Sequence, residues 1–245
     1  MVRYRAVAVV TLLVLSGCQG LDGGGETVTP APVPTEGDVV RTDATALADR
    51  HRRALHDRSY ATAVALTVVY ANGTTARLTD EFAVGRDGAY RYDRHVTGPY
   101  PAALSNFTVW QNRSTEFRRT TADNGTATVR VSERPGFDDI TLSGFLRRAL
   151  SGFDLAVERA NGRTRLTGRQ TGPLTVPLPT GLRRGRNATL DAEIRGDVVR
   201  SVTVRARAAY ADTDRPVTVR MRYTVRRVGD TDPTRPAWAV ANGTA

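Results

Sequence analysis

The residue best placed for chemistry in this chain is its single cysteine, Cys18, which directly follows Leu15, Ser16 and Gly17. One thiol in 245 residues can form no internal disulfide, so its neighbourhood decides its role. Upstream stand Arg3 and Arg5, then a run from Ala6 to Leu15 interrupted only by Thr11. A charged head, a short apolar core and small residues before a cleavage point make an export signal. The core falls well short of the ~20 apolar residues that a membrane-spanning helix needs. The expectation is that residues 1–17 are removed and Cys18 becomes a lipidated N-terminus. That would hold the protein on the extracellular face of the cytoplasmic membrane.

Asparagine carries the second chemical signal. Six of the seven asparagines open an Asn-x-Ser/Thr acceptor: Asn72, Asn106, Asn112, Asn124, Asn187 and Asn242; only Asn161 does not. Such acceptors belong on the surface of exported chains, where they take glycans. Together with a lipidated cysteine they point to an archaeal cell surface in preference to a bacterial one.

Catalytic constellations leave no comparable trace. The chain has no His-Glu-x-x-His run, no paired cysteines and no phosphate-cradling glycine loop. His51 and His56 are five apart on a predicted helix and point away from each other, so they read with His95 as surface histidines. Ser143-Gly144 lacks the flanking glycine of a nucleophile elbow. Asp138-Asp139 reads as the cap of the helix that follows it. The expectation is a protein that is no enzyme and holds neither metal nor cofactor.

Charge narrows the partners. The formal net charge is +10, and all 35 basic residues are arginine. In 198–210, Val202, Val204, Ala206 and Ala208 alternate with Arg205 and Arg207; in 216–228, Val217, Val219, Met221 and Tyr223 alternate with Arg220, Arg222 and Arg226. If these strands are neighbours, five guanidinium groups share one sheet face as a candidate dock for anionic lipid heads or acidic glycan. No basic-aromatic binding motif is present, so nucleic acid is not an expected partner. A net positive surface also argues against an extreme halophile.

The elements that position these residues can be read from the spacing. Residues 18–41, with Gly23-Gly24-Gly25 and Pro30, Pro32 and Pro34, bury too little to order and form a flexible tether spanning roughly 25–30 Å. A folded domain then occupies 42–245. It opens with a helix over 43–58, capped by Asp43, with Ala44, Leu47, Ala48, His51 and Leu55 on one face. Strands follow at 60–70, through Ala76 to Val84, and around Tyr90 and Tyr92. Further strands follow at 107–111, 115–121 and 126–133, with a tight hairpin at Asn72-Gly73, both residues expected at positive φ, and turns at Asp87-Gly88, Asn124-Gly125 and Asn161-Gly162. A second helix, over 141–151, carries Leu142, Phe145, Leu146, Ala149 and Leu150 at helical spacing. Strands resume at 153–160, 163–170, 187–195, 198–210 and 216–228.

About eleven one-faced strands and two apolar helices predict an α+β fold, mainly antiparallel β. A sheet of that width twists and curls, giving a curved, unclosed half-barrel with both helices over its concave face. This arrangement resembles the LolA/LppX-like lipoprotein fold, and within it the haloarchaeal surface lipoproteins. The residues that carry the resemblance are the Leu15-Ser16-Gly17-Cys18 box and His51-Arg52-Arg53-Ala54-Leu55 running into Arg58-Ser59-Tyr60. The hairpin Tyr70-Ala71-Asn72-Gly73-Thr74 and the closing Pro236-Ala237-Trp238 complete it. It covers roughly 42–240, and only the lipid box is specific. It implies a hollow that takes acyl chains and supplies no catalytic residue.

Leu142, Phe145, Leu146, Tyr90, Tyr92 and Trp110 are accordingly the candidates to line an apolar or amphiphilic ligand site between the second helix and the sheet. The alternative is an envelope scaffold or adhesion module, docking an envelope protein, whose interior is filled by these same side chains. Trp238 is expected to pin the tail onto the domain.

Overall fold

Alternating side chains settle most of this architecture. In a computed structural model the strands join into one antiparallel sheet of eleven, in the order β6-β5-β4-β3-β2-β1-β11-β10-β9-β8-β7. The structure describes residues 43–100, 104–122, 124–133, 140–171, 182–210 and 214–241. Cys18, the tether, Asp138-Asp139 and Asn242 lie outside the described residues.

The first meander is β1 (Tyr60–Tyr70), β2 (Thr75–Val84), β3 (Tyr90–Thr97), β4 (Asn106–Gln111), β5 (Glu116–Thr121) and β6 (Ala127–Ser132). The second is β7 (Phe153–Ala160), β8 (Arg163–Gln170), β9 (Leu182–Arg195), β10 (Val198–Tyr210) and β11 (Pro216–Val228). Pairing of β1 with β11 stitches the two halves, from Tyr60 against Val228 to Tyr70 against Val217, with a bulge between Ala61 and Thr62. β6 and β7 are thus opposite edges. The connection between them carries α2 (Ser143–Ser151) across one face of the sheet.

That inner face holds the main core. Leu66, Val68, Val202, Val204, Val219, Met221 and Tyr223 are buried there together with Leu47 and Leu55 of α1 (Ala44–Leu55) and Leu146 and Leu150 of α2. The Asp43 carboxylate caps α1 by accepting from the Thr45 and Ala46 amides at 2.8 and 3.0 Å, worth about 1 kcal/mol. α2 starts two residues later than its periodicity implies. Leu142 stands at its N-cap in a left-handed conformation (φ 58°) with no side-chain cap. No helix among the described residues is long and apolar enough to cross a membrane.

Two sequence expectations need correction here. Asn72 is not a positive-φ residue; only Gly73 is (φ 82°), and Tyr70 closes the turn by accepting from Gly73 N and donating to Thr74 O. The loop is therefore a type I turn followed by a glycine bulge. Asp87-Gly88 and Asn124-Gly125 repeat it, because in each case the Asx carboxyl or carboxamide oxygen binds the amide two residues on. Of these Asx-Gly turns, Asn161-Gly162 (φ 51° and 71°) is the one with both residues at positive φ. Second, β9 begins at Leu182 and not at 187. Asn187 (φ 52°) sits where the β9–β10 register shifts, and this irregularity hides the alternation N-terminal to it.

A third, short helix was not legible in the sequence: α3 (Ala237–Ala241). The segment leading to it lies on the outer face over β4 and β5. There Trp110 Nε1 donates to Pro233 O at 3.0 Å, and the Arg235 guanidinium covers both Trp110 and Phe117 (5.2 and 4.8 Å to the ring centres). Trp110, Phe117 and Ala239 form a small second core, with Trp238 packed against it.

Candidate functional site

Of the six proposed ligand-lining residues, three are buried in the interior, two are partly buried against them and one lies on the other face. Leu146 and Tyr90 are fully buried, Tyr92 nearly so, and the Phe145 ring stands 6.0 Å from that of Tyr223. Leu142 is partly buried against the same cluster. These side chains pack between α2 and the sheet. Trp110 pairs across with Arg91, whereas Tyr92 pairs with Val109. Side chains alternate between faces along a strand, so Val109 shares the inner face with Tyr92 and Trp110 points outward, under the C-terminal segment. The register of β4 decides this, and its three consecutive buried residues Val109, Trp110 and Gln111 conceal its phase.

His51 is likewise interior and not a surface group. Its Nδ1 accepts from the Val199 amide at 3.2 Å, and its Nε2 meets the Tyr223 hydroxyl at 3.0 Å and the Thr141 carbonyl at 3.3 Å. A nitrogen that accepts from an N–H carries no proton, so the ring is the Nε2–H tautomer. One imidazole thus ties α1 to β10, β11 and the approach to α2. His56 is exposed beside Asp57 (2.9 Å) and His95 is exposed on β3.

An open apolar cleft lies further along the strands. From Tyr223 to Val217 is six residues of β11, about 20 Å, and there the inner face ends in a cleft of about 730 Å³. Tyr70, Tyr210, Pro99, Pro216 and Val217 form its apolar part, with Asn72, Thr74 and Arg215 among its polar residues. Tyr70 and Tyr210 stack at 5.8 Å and 11°, and the Tyr70 hydroxyl donates to Pro99 O. Burial, then the neighbouring Tyr210, pushes the Tyr70 phenol above its ordinary range. Both tyrosines end strands in phase with the buried alternation. That was the signal the sequence reading passed over.

The inner face also holds an ion pair between cleft and aromatic core. Arg94 binds Asp80 through two bonds of 2.7 and 2.9 Å, across paired positions of β2 and β3. Its guanidinium lies 5.0 Å over the Phe107 ring, and that ring also faces Arg118 at 4.9 Å. The hydrogen bond to Asp80 raises the Arg94 pKa. Tyr92 is pushed up by burial first and then by the Asp80 charge; Tyr100 is pushed up to about 12 for the same two reasons.

On the outer face, Arg205, Arg207, Arg220 and Arg222 are exposed as expected, and Arg205 pairs directly with Arg220. Arg226 differs: at the bulge of β11 it is spent on Glu81 at 2.8 Å. Among the acceptor asparagines, Asn72, Asn106, Asn124 and Asn187 are exposed and Asn112 half-exposed. At Asn72, Asn112 and Asn124 the side-chain oxygen accepts from the amide of the acceptor's own Ser or Thr at 3.0 Å. No group of His, Cys, Asp and Glu able to hold a metal occurs among the described residues.

Comparison with known proteins adds two loose likenesses. No family model matches the chain, and no curated protein matches it. Among solved structures the chain is similar to a LolA superfamily protein from Nitrosomonas europaea, at 8% identity over 79% of this chain and 98% of that one, with a TM-score of 0.27. It is also similar to a DUF1329 family protein from Desulfovibrio piger, at 10% identity over 80% and 95% of the two chains, with a TM-score of 0.29. Neither likeness bears on ligand or activity; the open antiparallel sheet with helices packed on its inner face stands on the chain's own register.

Proposed function

We propose that this protein is a lipid-anchored, glycosylated, non-enzymatic surface protein that binds the apolar part of an anionic amphiphile. The cleft at the Tyr70–Tyr210 end of the inner face is its site. The observation that carries this is the cleft itself: about 730 Å³ with two stacked tyrosines, two prolines and Val217 in its wall. That volume falls within the roughly 300–1,000 Å³ of small-molecule sites, which are mostly apolar with a few polar groups fixing orientation. Arg215, exposed at the cleft, supplies a cation for the head group. The site differs in place from the one expected beside α2, where Leu146, Ala149 and Leu150 are buried.

Anchoring rests on Cys18 and the segment before it, and the extracellular placement rests on that signal and the acceptor asparagines. Ala71→Trp tests the site, because a bulky ring on this exposed hairpin position fills the cleft without entering the core and leaves the Asn72-Gly73-Thr74 acceptor intact. A fluorescent fatty acid should bind wild type and lose affinity at least about tenfold in the variant. Equal binding by both would remove the cleft from consideration. A filled scaffold is the second reading, favoured by the closely packed interior beneath α2; absence of any acyl binding by wild type would select it.

A further inference from the structure

The outer face carries a line of arginines that make no ion pair among the described residues. Across five neighbouring strand pairs, Arg77 of β2 stands opposite Thr67 of β1, and Thr67 opposite Arg220 of β11. Arg220 stands opposite Arg205 of β10, Arg205 opposite Thr189 of β9, and Thr189 opposite Arg169 of β8. Neighbouring strands lie about 4.8 Å apart, so the row runs roughly 24 Å straight across the strands. All four arginines are exposed, and none of them makes an ion pair among the described residues. Arg207 and Arg186, paired one position along toward the cleft end, extend it, with Asp214 lining the same depression as both.

The remainder of this face is built differently. Toward the opposite strand ends, Glu81, Asp191, Glu193 and Asp93 each hold an arginine at 2.5 to 2.8 Å. Like charges directly opposite one another weaken a sheet, and here Arg205 and Arg220 accept that without a carboxylate between them. Only Asp154, opposite Arg169 at the far end, brings a negative charge into the row.

We infer that this row is a binding site for a linear carboxylated polysaccharide, laid across the strands and independent of the inner-face cleft. Guanidinium groups match carboxylates in bidentate geometry. Arg77 and Arg220, like Arg205 and Arg169, are two strands or about 9.6 Å apart, a spacing of the order of a disaccharide step. The intervening threonine hydroxyls are suited to sugar hydroxyls. A flat anionic bilayer fits less well: it would meet the acidic half of the same face together with the arginines, whereas a line-shaped ligand avoids it.

The test is binding of polygalacturonate to the full chain at low ionic strength. Wild type should bind, with affinity falling steeply as salt screens the contacts. Arg205→Gln combined with Arg220→Gln should weaken binding about tenfold or more and flatten the salt dependence. Arg226→Gln and Arg195→Gln, which remove paired arginines of the same face, should stay within about twofold. Circular dichroism of the double variant checks that the sheet is intact. The inference is overturned if wild type does not bind, if the controls weaken as much as the double variant, or if only phosphatidylglycerol vesicles bind.

Discussion

His51 and Tyr223, 172 residues apart, meet in the interior at 3.0 Å, with their rings edge-to-face at 6.0 Å. The imidazole belongs to α1 and the phenol to β11, which closes the sheet against β1, its central strand. The contact joins the helix layer to the point where the N-terminal and C-terminal halves are stitched. Replacing His51 by Leu keeps apolar volume but leaves the buried Val199 amide without its acceptor, at a cost of about 2–4 kcal/mol. Tyr223→Phe removes one hydroxyl and should cost about 1 kcal/mol. Denaturant unfolding of both variants measures this; an unchanged midpoint for His51→Leu would contradict it.

The C-terminal segment is the second structural dependency. Both tryptophans of the chain, Trp110 and Trp238, sit in its small outer core, so tryptophan emission reports that cluster. Deleting residues 233–245 should shift the emission of Trp110 to the red and lower stability by about 3 kcal/mol, the scale of losing a buried aromatic contact. Emission that stays where it was would show that Trp110 is covered by something else.

Much of this was legible beforehand, and what was not has a common cause. β1, β10 and β11 emerge from alternation alone, since their inner faces are continuous rows such as Val217, Val219, Met221 and Tyr223. α2 emerges from its helical spacing. What failed needs information from a partner strand. The face of Trp110 depends on which residue of β3 it opposes, and its cover comes from Pro233, 123 residues away. Asp80 lies in phase with Ala76, Leu78, Phe82 and Val84 and looks out of place until Arg94 appears across the ladder. The arginine row exists only in the register of six strands, so a strand-by-strand reading found Arg205 and Arg220 but neither Arg77 nor Arg169.

The tyrosines give a prediction at alkaline pH. Burial raises the pKa of Tyr70, Tyr90 and Tyr92, and Tyr100 is pushed up to about 12. An unfolded phenol ionises near pH 10. The folded state thus favours the neutral form: the contribution is complete below about pH 10 and is lost as pH rises through the folded values. Absorbance at 295 nm should show Tyr70, Tyr90, Tyr92 and Tyr100 ionising only with unfolding. These four phenols titrating near pH 10 in a folded chain would refute it.

Anchoring has a direct chemical consequence. Cys18→Ser should abolish acylation, leave the chain lighter by its lipid, and release it from the membrane fraction. Mass spectrometry and fractionation read both; a variant that stays wholly with the membrane would contradict a thioether-linked anchor.

The occupant of the cleft decides the account as a whole. Full-length protein, purified under mild conditions and examined by native mass spectrometry with solvent extraction, should carry a non-covalent amphiphile at up to one per chain. That species should be depleted in Ala71→Trp. Empty wild-type protein that also fails to take up added fatty acid would contradict the ligand-binding reading outright.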